Sequence, residues 1–294
     1  MRKQFKMLLI FSRRSKSTKI SEMKKCLFVF LFLGLISWKK IQDNRTKDFP
    51  KNIEYVEQIP AKEKVWVFLM AGQSNMAGRG IVEPQDTVPD KRILTIDARG
   101  KLIYAKEPLH FYEPTRTGLD CGLSFGKKLL AKIPSDITIL LLPTAIGGSA
   151  IGQWLGDSSY RGVNLLTNFK EKAAIGKQYG TIKAILWHQG ESDANVKRIP
   201  LYKENLDKLF TLFREIAGNH TLPVFIGELG SYSNTKKEWM QINDVIHAYV
   251  VQDKFASFIK TDDFIHVGDT VHFNSDGQRM MGERFANAYL KKRN

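Results

Sequence analysis

The chain has 294 residues, 43% of them hydrophobic and 11% aromatic, enough to bury one large α/β core or two small ones. Its formal charge of +15 suggests nucleic acid at first, but residues 1–51 hold 14 Lys/Arg against 3 Asp/Glu and carry +11 of it. The other 243 residues carry only +4, from 31 against 27, so no basic face is spread over the folded part and nucleic acid is dropped as a partner.

Within the leader, Met23-Lys24-Lys25 precedes an unbroken apolar run over 26–36, followed by Ser37, Trp38 and Lys39-Lys40. A short basic stretch before about 7–15 apolar residues is the pattern of a secretory signal, and it is too short to span a bilayer comfortably. Residues 1–22 are basic, Ser-rich and aperiodic, which leaves Met23 open as the initiator. No Ala-x-Ala-like site follows, so two readings of 1–38 stand together: a cleaved signal peptide and an uncleaved signal anchor. Either sends the protein to the cell envelope or beyond it, and the anchor is the sole route to a membrane. Residues 39–62 read as a polar linker, and the folded domain is expected over 63–294. The only cysteines are Cys26, in the leader, and Cys121, so the processed chain has no pair for an intramolecular disulfide. Cys121 reads as a small buried residue.

From Lys64 onward, short β-rich runs alternate with longer amphipathic ones. Strands are expected at 64–70, 137–142, 182–187, 223–228 and 255–260, each nearly continuous in apolar residues, as strands covered on both faces must be. Helices are expected at 122–132, 163–178, 200–217, 236–252 and 275–292, the last capped by Asn274 or Ser275. This alternation predicts a three-layer, doubly wound α/β/α domain around a mainly parallel sheet of about five strands. The segment 79–120, with prolines at 84, 89, 108 and 114, reads as an excursion over the rim. In such a domain ligands bind at the carboxyl ends of the strands. Four polar, Gly-rich stretches fall there: 72–75, 146–149, 188–191 and 269–272.

Ser74 stands on the first of them, with Gly72 easing the backbone into a tight turn. A serine in that position either attacks, if a base takes its proton, or merely caps the next helix. The base comes from a repeated pattern, Asp263-Phe264-Ile265-His266 and Asp269-Thr270-Val271-His272, in which an Asp three residues before a His orients the ring. Spacing alone does not choose; the helix cap following Phe273 favours Asp269 and His272. Donors for a developing oxyanion are expected from the N–H groups of Ser74 and Gly148 and from the Gln189 side chain. Glu191 and Asp193 have no His cluster beside them at ligand spacing, so no metal and no cofactor is expected. Glu191 is expected to tie the loops together by hydrogen bonds. Trp154 and Arg79 are the expected sugar contacts, Trp154 with packing as its alternative role.

The set GQSNMAGRG (72–80), GLSFGKKL (122–129), AIGGSAIGQW (145–154), WHQGESDA (187–194) and DTVHF (269–273) resembles the SASA-domain esterases. These are the sialate O-acetylesterase-like proteins and carbohydrate esterase family 6, a branch of the SGNH hydrolases, and the likeness runs from about Val65 to the C-terminus. The resemblance implies a flavodoxin-like three-layer fold, metal-free removal of O-acetyl groups from carbohydrate, and Ser74, His272 and Asp269 as a triad. One block departs from the general SGNH pattern: Gly190-Glu191-Ser192-Asp193 has Ser where Gly-x-Asn-Asp supplies an oxyanion donor. A lipase or thioesterase on the same fold, and a carbohydrate-binding protein without turnover, remain as alternatives.

Overall fold

A computed structural model describes residues 44–293. The leader, at 1–38, lies outside the described residues, as does the start of the linker. The remainder of the linker runs along the edge of the sheet, where Tyr104 N–H donates to Glu54 O and Val56 N–H to Leu102 O.

The central strand is β1 (Val65–Gly72), and every one of its eight residues is buried. Its side chains alternate between two cores. Val65, Val67 and Leu69 face one apolar cluster, with Phe169, Phe213 and Ile246; Trp66, Phe68 and Met70 face another, with Phe125, Phe273 and Phe285. Period-two alternation between two dry faces is why the strand reads as continuously apolar. On β1 pair β4 (Thr138–Pro143) and β7 (Thr181–His188), both parallel. β8 (Val224–Gly227) and β9 (Ala256–Ile259) extend the sheet in parallel beyond β7.

Helices Leu165–Tyr179, Ile199–Ala217 and Lys236–Gln252 supply the first core. Helices Gly122–Leu130 and Ser275–Arg293 supply the second. This is the expected three-layer, doubly wound architecture.

Two strands beyond the expected five, β2 (Ile93–Ile96) and antiparallel β3 (Leu102–Tyr104), fold from the segment expected to be an excursion. At four and three residues they are too short for periodicity to register against the neighbouring charges and prolines. Among the described residues the sheet therefore has seven strands, in the order β3-β2-β4-β1-β7-β8-β9. Two minor strands, β5 (Ser159–Tyr160) and β6 (Val163–Asn164), form a separate hairpin. The chain goes from β1 out to the β4 side and returns to the β7 side. The loops after β1, β4 and β7 therefore meet at the carboxyl end of β1, the place where ligands bind in sheets of this kind.

Candidate active site

Gly72 ends β1 at φ +135°, and a Cβ there would stand 2.1 Å from the His188 carbonyl oxygen. Only glycine lets β1 and β7 close up at this point. Gln73 N–H then donates to His188 O at 2.9 Å, and Ser74 opens the short helix Ser74–Ala77. As the first helical residue, Ser74 has no intrahelical acceptor for its own N–H.

Ser74 Oγ lies 2.9 Å from His272 Nε2, and His272 Nδ1 lies 2.5 Å from Asp269 Oδ2. The other Asp269 oxygen accepts the backbone N–H groups of Val271 at 2.9 Å and His272 at 2.8 Å, so the Asp-x-x-His spacing closes a turn that aims the ring. Partial burial works to raise the Asp269 pKa, but hydrogen bonds from the His272 N–H, its ring and the Val271 N–H outweigh it and hold the carboxyl below the usual range. Asp269 therefore stays anionic beside the imidazole.

His266, the rival base, sits elsewhere. Its Nδ1 accepts the N–H groups of Gly268 at 2.9 Å and Thr270 at 3.2 Å, and its ring packs on Tyr232 at 4.9 Å between centroids. It shapes the loop that carries Asp269.

After β4, the Gly147-Gly148 turn lies against the end of β1, where Ser149 Oγ donates to Gly72 O at 3.3 Å. Gly147 N–H donates to Glu113 Oε2 at 2.6 Å. Gly148 has φ +81°, and among the described residues its N–H has no protein acceptor, which leaves it free for a ligand oxygen. Glu113 lies 34 residues away within the Pro-rich segment, and no local pattern marks it as part of the site. It is gripped by Arg79 at 2.9 Å and also by Arg161, from the β5–β6 hairpin. Burial pushes the Glu113 pKa up, but Arg79, the Gly147 N–H and Arg161 bring it below its ordinary value.

Three expectations need correction. The Gln189 amide nitrogen already faces three acceptors, Asp193 Oδ2 at 2.6 Å, Gln73 Oε1 at 3.1 Å and Ser149 O at 3.2 Å, and the residue is fully buried. With two N–H bonds it has none left for an oxyanion, so it pins the loops instead. Trp154 is also fully buried, edge-on to Trp187 and Phe213 with its indole N–H on Ser149 Oγ, so it packs the core and cannot touch a sugar. Arg79 is nine-tenths buried against Glu113 and the Gly78 carbonyl, and a Cβ on Gly147 would strike its guanidinium. It braces the turn. Cys121, as expected, is buried; burial pushes its thiol pKa up, which keeps it from nucleophilic work. Among the described residues no three His, Cys, Asp or Glu side chains are grouped as metal ligands.

A three-layer fold whose strand ends bring Ser, His and Asp into one hydrogen-bonded row has the arrangement of the SGNH-hydrolase class that the sequence resembles. Within that class the chain belongs to the SASA family, described as carbohydrate esterase, sialic acid-specific acetylesterase, whose model matches residues 64–291. It is 29% identical over 246 residues to an Arabidopsis thaliana protein described as a probable carbohydrate esterase, covering 76% of this chain and 90% of the relative. The solved structure of that plant protein superposes with a TM-score of 0.68 at 25% identity, over 77% of this chain and 98% of the other. NanS superposes with a TM-score of 0.61 at 18% identity, over 79% and 98%. A carbohydrate acetylesterase from Xanthomonas citri gives 0.53 at 18%, over 76% and 55%. The last two speak to the fold alone.

Proposed function

We propose that the protein is a serine esterase that removes O-acetyl groups from carbohydrate, an acetylated polysaccharide or sialic acid, through an acetyl-enzyme. The observation that carries this is the Ser74–His272–Asp269 row, with both hydrogen bonds formed at the ends of the strands. His272 Nε2 takes the Ser74 proton as Oγ attacks the acetyl carbonyl carbon. The N–H groups of Ser74 and Gly148 receive the charge that develops on the carbonyl oxygen. His272 then returns the proton to the sugar oxygen, which leaves as an alcohol. Water repeats the cycle: its proton goes to His272, acetate departs, and Ser74 is restored. Asp269 steadies the imidazolium throughout without taking its proton.

Support for a carbohydrate ester comes from the family and from the names of its relatives. Arg161, whose partly exposed guanidinium lies beside Gly148, suits a sugar better than a long acyl chain. The basic and apolar leader at 1–38 supports action in the cell envelope or outside the cell.

The test is release of p-nitrophenol from p-nitrophenyl acetate by the wild type and Ser74→Ala. Loss of at least about 10³-fold in kcat with an unchanged circular-dichroism spectrum is expected, since nucleophile removal leaves only the donors to act. Retained turnover in Ser74→Ala overturns the assignment. Release rates from acetylated xylan, acetylated sialic acid and longer acyl esters then rank the substrates.

A further inference from the structure

Asn75, the residue after the nucleophile, has no exposed surface, and its side chain crosses to the loop that carries His272. Its Oδ1 accepts the N–H of Phe273 at 2.9 Å, and its Nδ2 donates to the carbonyl of Val271 at 3.2 Å. Those are the two residues flanking His272. The amide therefore grips the main chain on both sides of the base, 196 and 198 residues away in sequence. Its orientation is fixed by its partners, because a backbone N–H requires the oxygen and a backbone carbonyl requires the nitrogen. The second Nδ2 hydrogen goes to Glu191 Oε1 at 2.7 Å, and the Glu191 side chain is itself nearly buried. From the other side Gln278 Nε2 donates to the Asn75 carbonyl at 3.0 Å, which ties the turn to the final helix.

We infer that Asn75 and Glu191 form a buried clamp that sets the distance between Ser74 and His272, with Asn75 as the positioning residue and Glu191 fixing its amide. This rests on the esterase reading above and deepens it. Neither group touches the reacting atoms. Their effect passes through the Val271–Phe273 main chain to the imidazole, and a displacement of about 1 Å at a reacting pair costs about 10²-fold in rate. A buried amide network of this kind holds one geometry because each lost bond leaves an unpaired polar group in a dry place.

The discriminating variants are Asn75→Asp, Glu191→Gln and their combination in the full chain, assayed with p-nitrophenyl acetate. Asn75→Asp keeps the acceptor for Phe273 N–H but sets carboxylate oxygen against Val271 O and Glu191 Oε1. The expected result is a fall in kcat of about 10²-fold with KM held within about threefold, since ligand contacts are unchanged. In the double variant the introduced glutamine amide can donate to the introduced carboxylate, so at least about tenfold of kcat should return, a coupling that independent packing defects would not show.

Thermal midpoints confirm that each variant is folded. Should Asn75→Asp not fold, Asn75→Ala, which removes both grips without adding charge, is read by the same comparison of kcat with KM. A folded variant with kcat within about threefold of wild type, a loss confined to KM, or a double variant no better than Asn75→Asp overturns the clamp. A wild type without esterase turnover overturns both the clamp and the esterase reading, whereas an active wild type matched by its Asn75 variants sinks the clamp alone.

Discussion

His266 and His272 carry the same local pattern and end in opposite roles. Each follows an Asp by three residues, yet His272 turns Nε2 to Ser74 while His266 turns Nδ1 inward to accept Gly268 and Thr270 N–H groups. The second arrangement holds Thr270 at φ +60°, a left-handed conformation for a β-branched residue, which costs about 1–3 kcal/mol. That strain is tolerated because the turn delivers Asp269 to the imidazole. Side-by-side assays should therefore separate the two residues. His272→Ala is expected to lose about 10³-fold or more in kcat with a thermal midpoint close to wild type. His266→Ala is expected to lower the midpoint and cost no more than about tenfold in kcat, because an indirect displacement of the loop is smaller than the loss of the base. The reverse ranking would make His266 the base.

At the scale of elements, the Gly147-Gly148 turn depends on a carboxylate brought from a different part of the chain. Glu113 accepts Gly147 N–H while held by Arg79 and Arg161, so the turn, the Pro-rich segment and the β5–β6 hairpin meet on one side chain. Glu113→Ala leaves the Arg79 guanidinium buried without its partner, a loss of about 3–5 kcal/mol in comparable buried pairs. Glu113→Gln keeps the shape and one acceptor but weakens both arginine contacts. Its expected signature is a kcat lowered by about 10-fold, as the Gly148 N–H drifts from the oxyanion it is proposed to meet. Unchanged kcat in folded Glu113→Gln would separate the turn from the chemistry. Arg79 and Trp154 belong to this scale too. Arg79 was expected at the sugar and Trp154 either there or in the packing, and both hold elements together.

For the whole molecule, the same carboxylate predicts how stability follows pH. The folded Glu113 pKa lies below its ordinary value, so its charged form stabilises the fold at any pH above the unfolded value of about 4.3. That contribution disappears as pH falls through the folded value. Asp269 is shifted the same way, as is Asp253 after the helix Lys236–Gln252, where burial is outweighed by hydrogen bonds from Tyr249 and Arg214, and both add to the acid-side loss. Thermal midpoints measured downward from about pH 5 should fall steeply for wild type and less steeply for Glu113→Gln. Equal slopes would show that the Glu113 cluster does not contribute to the acid transition.

Much of the fold was legible because its strands are buried on both faces. The runs at 64–70, 137–142, 182–187, 223–228 and 255–260 all proved to contain strands, and their order implied a parallel sheet with polar loops gathered at one end. β2 and β3 were not legible, since four and three residues carry too little periodicity and the pairing of β2 with β4 joins segments far apart in sequence. The reactive groups were legible as residue types at telling positions: Ser74 on a Gly-relieved turn, and Asp269 and His272 at a spacing that allows a carboxylate to meet the ring. That much follows from local chemistry, because Asp-x-x-His puts a carboxylate within reach of the ring and Gly-x-Ser allows a tight turn, although Asp263 turns to Arg284 instead of His266.

The tertiary structure decided which of two equivalent histidines meets Ser74, that Gln189 and Trp154 face inward, and that Glu113 and Asn75 reach the site at all. Burial and partner choice depend on which surfaces the sheet brings into contact, and Asn75 finds its acceptor and donor 196 and 198 residues away. No local pattern encodes that meeting; only the packing of the last loop and helix against the end of β1 creates it.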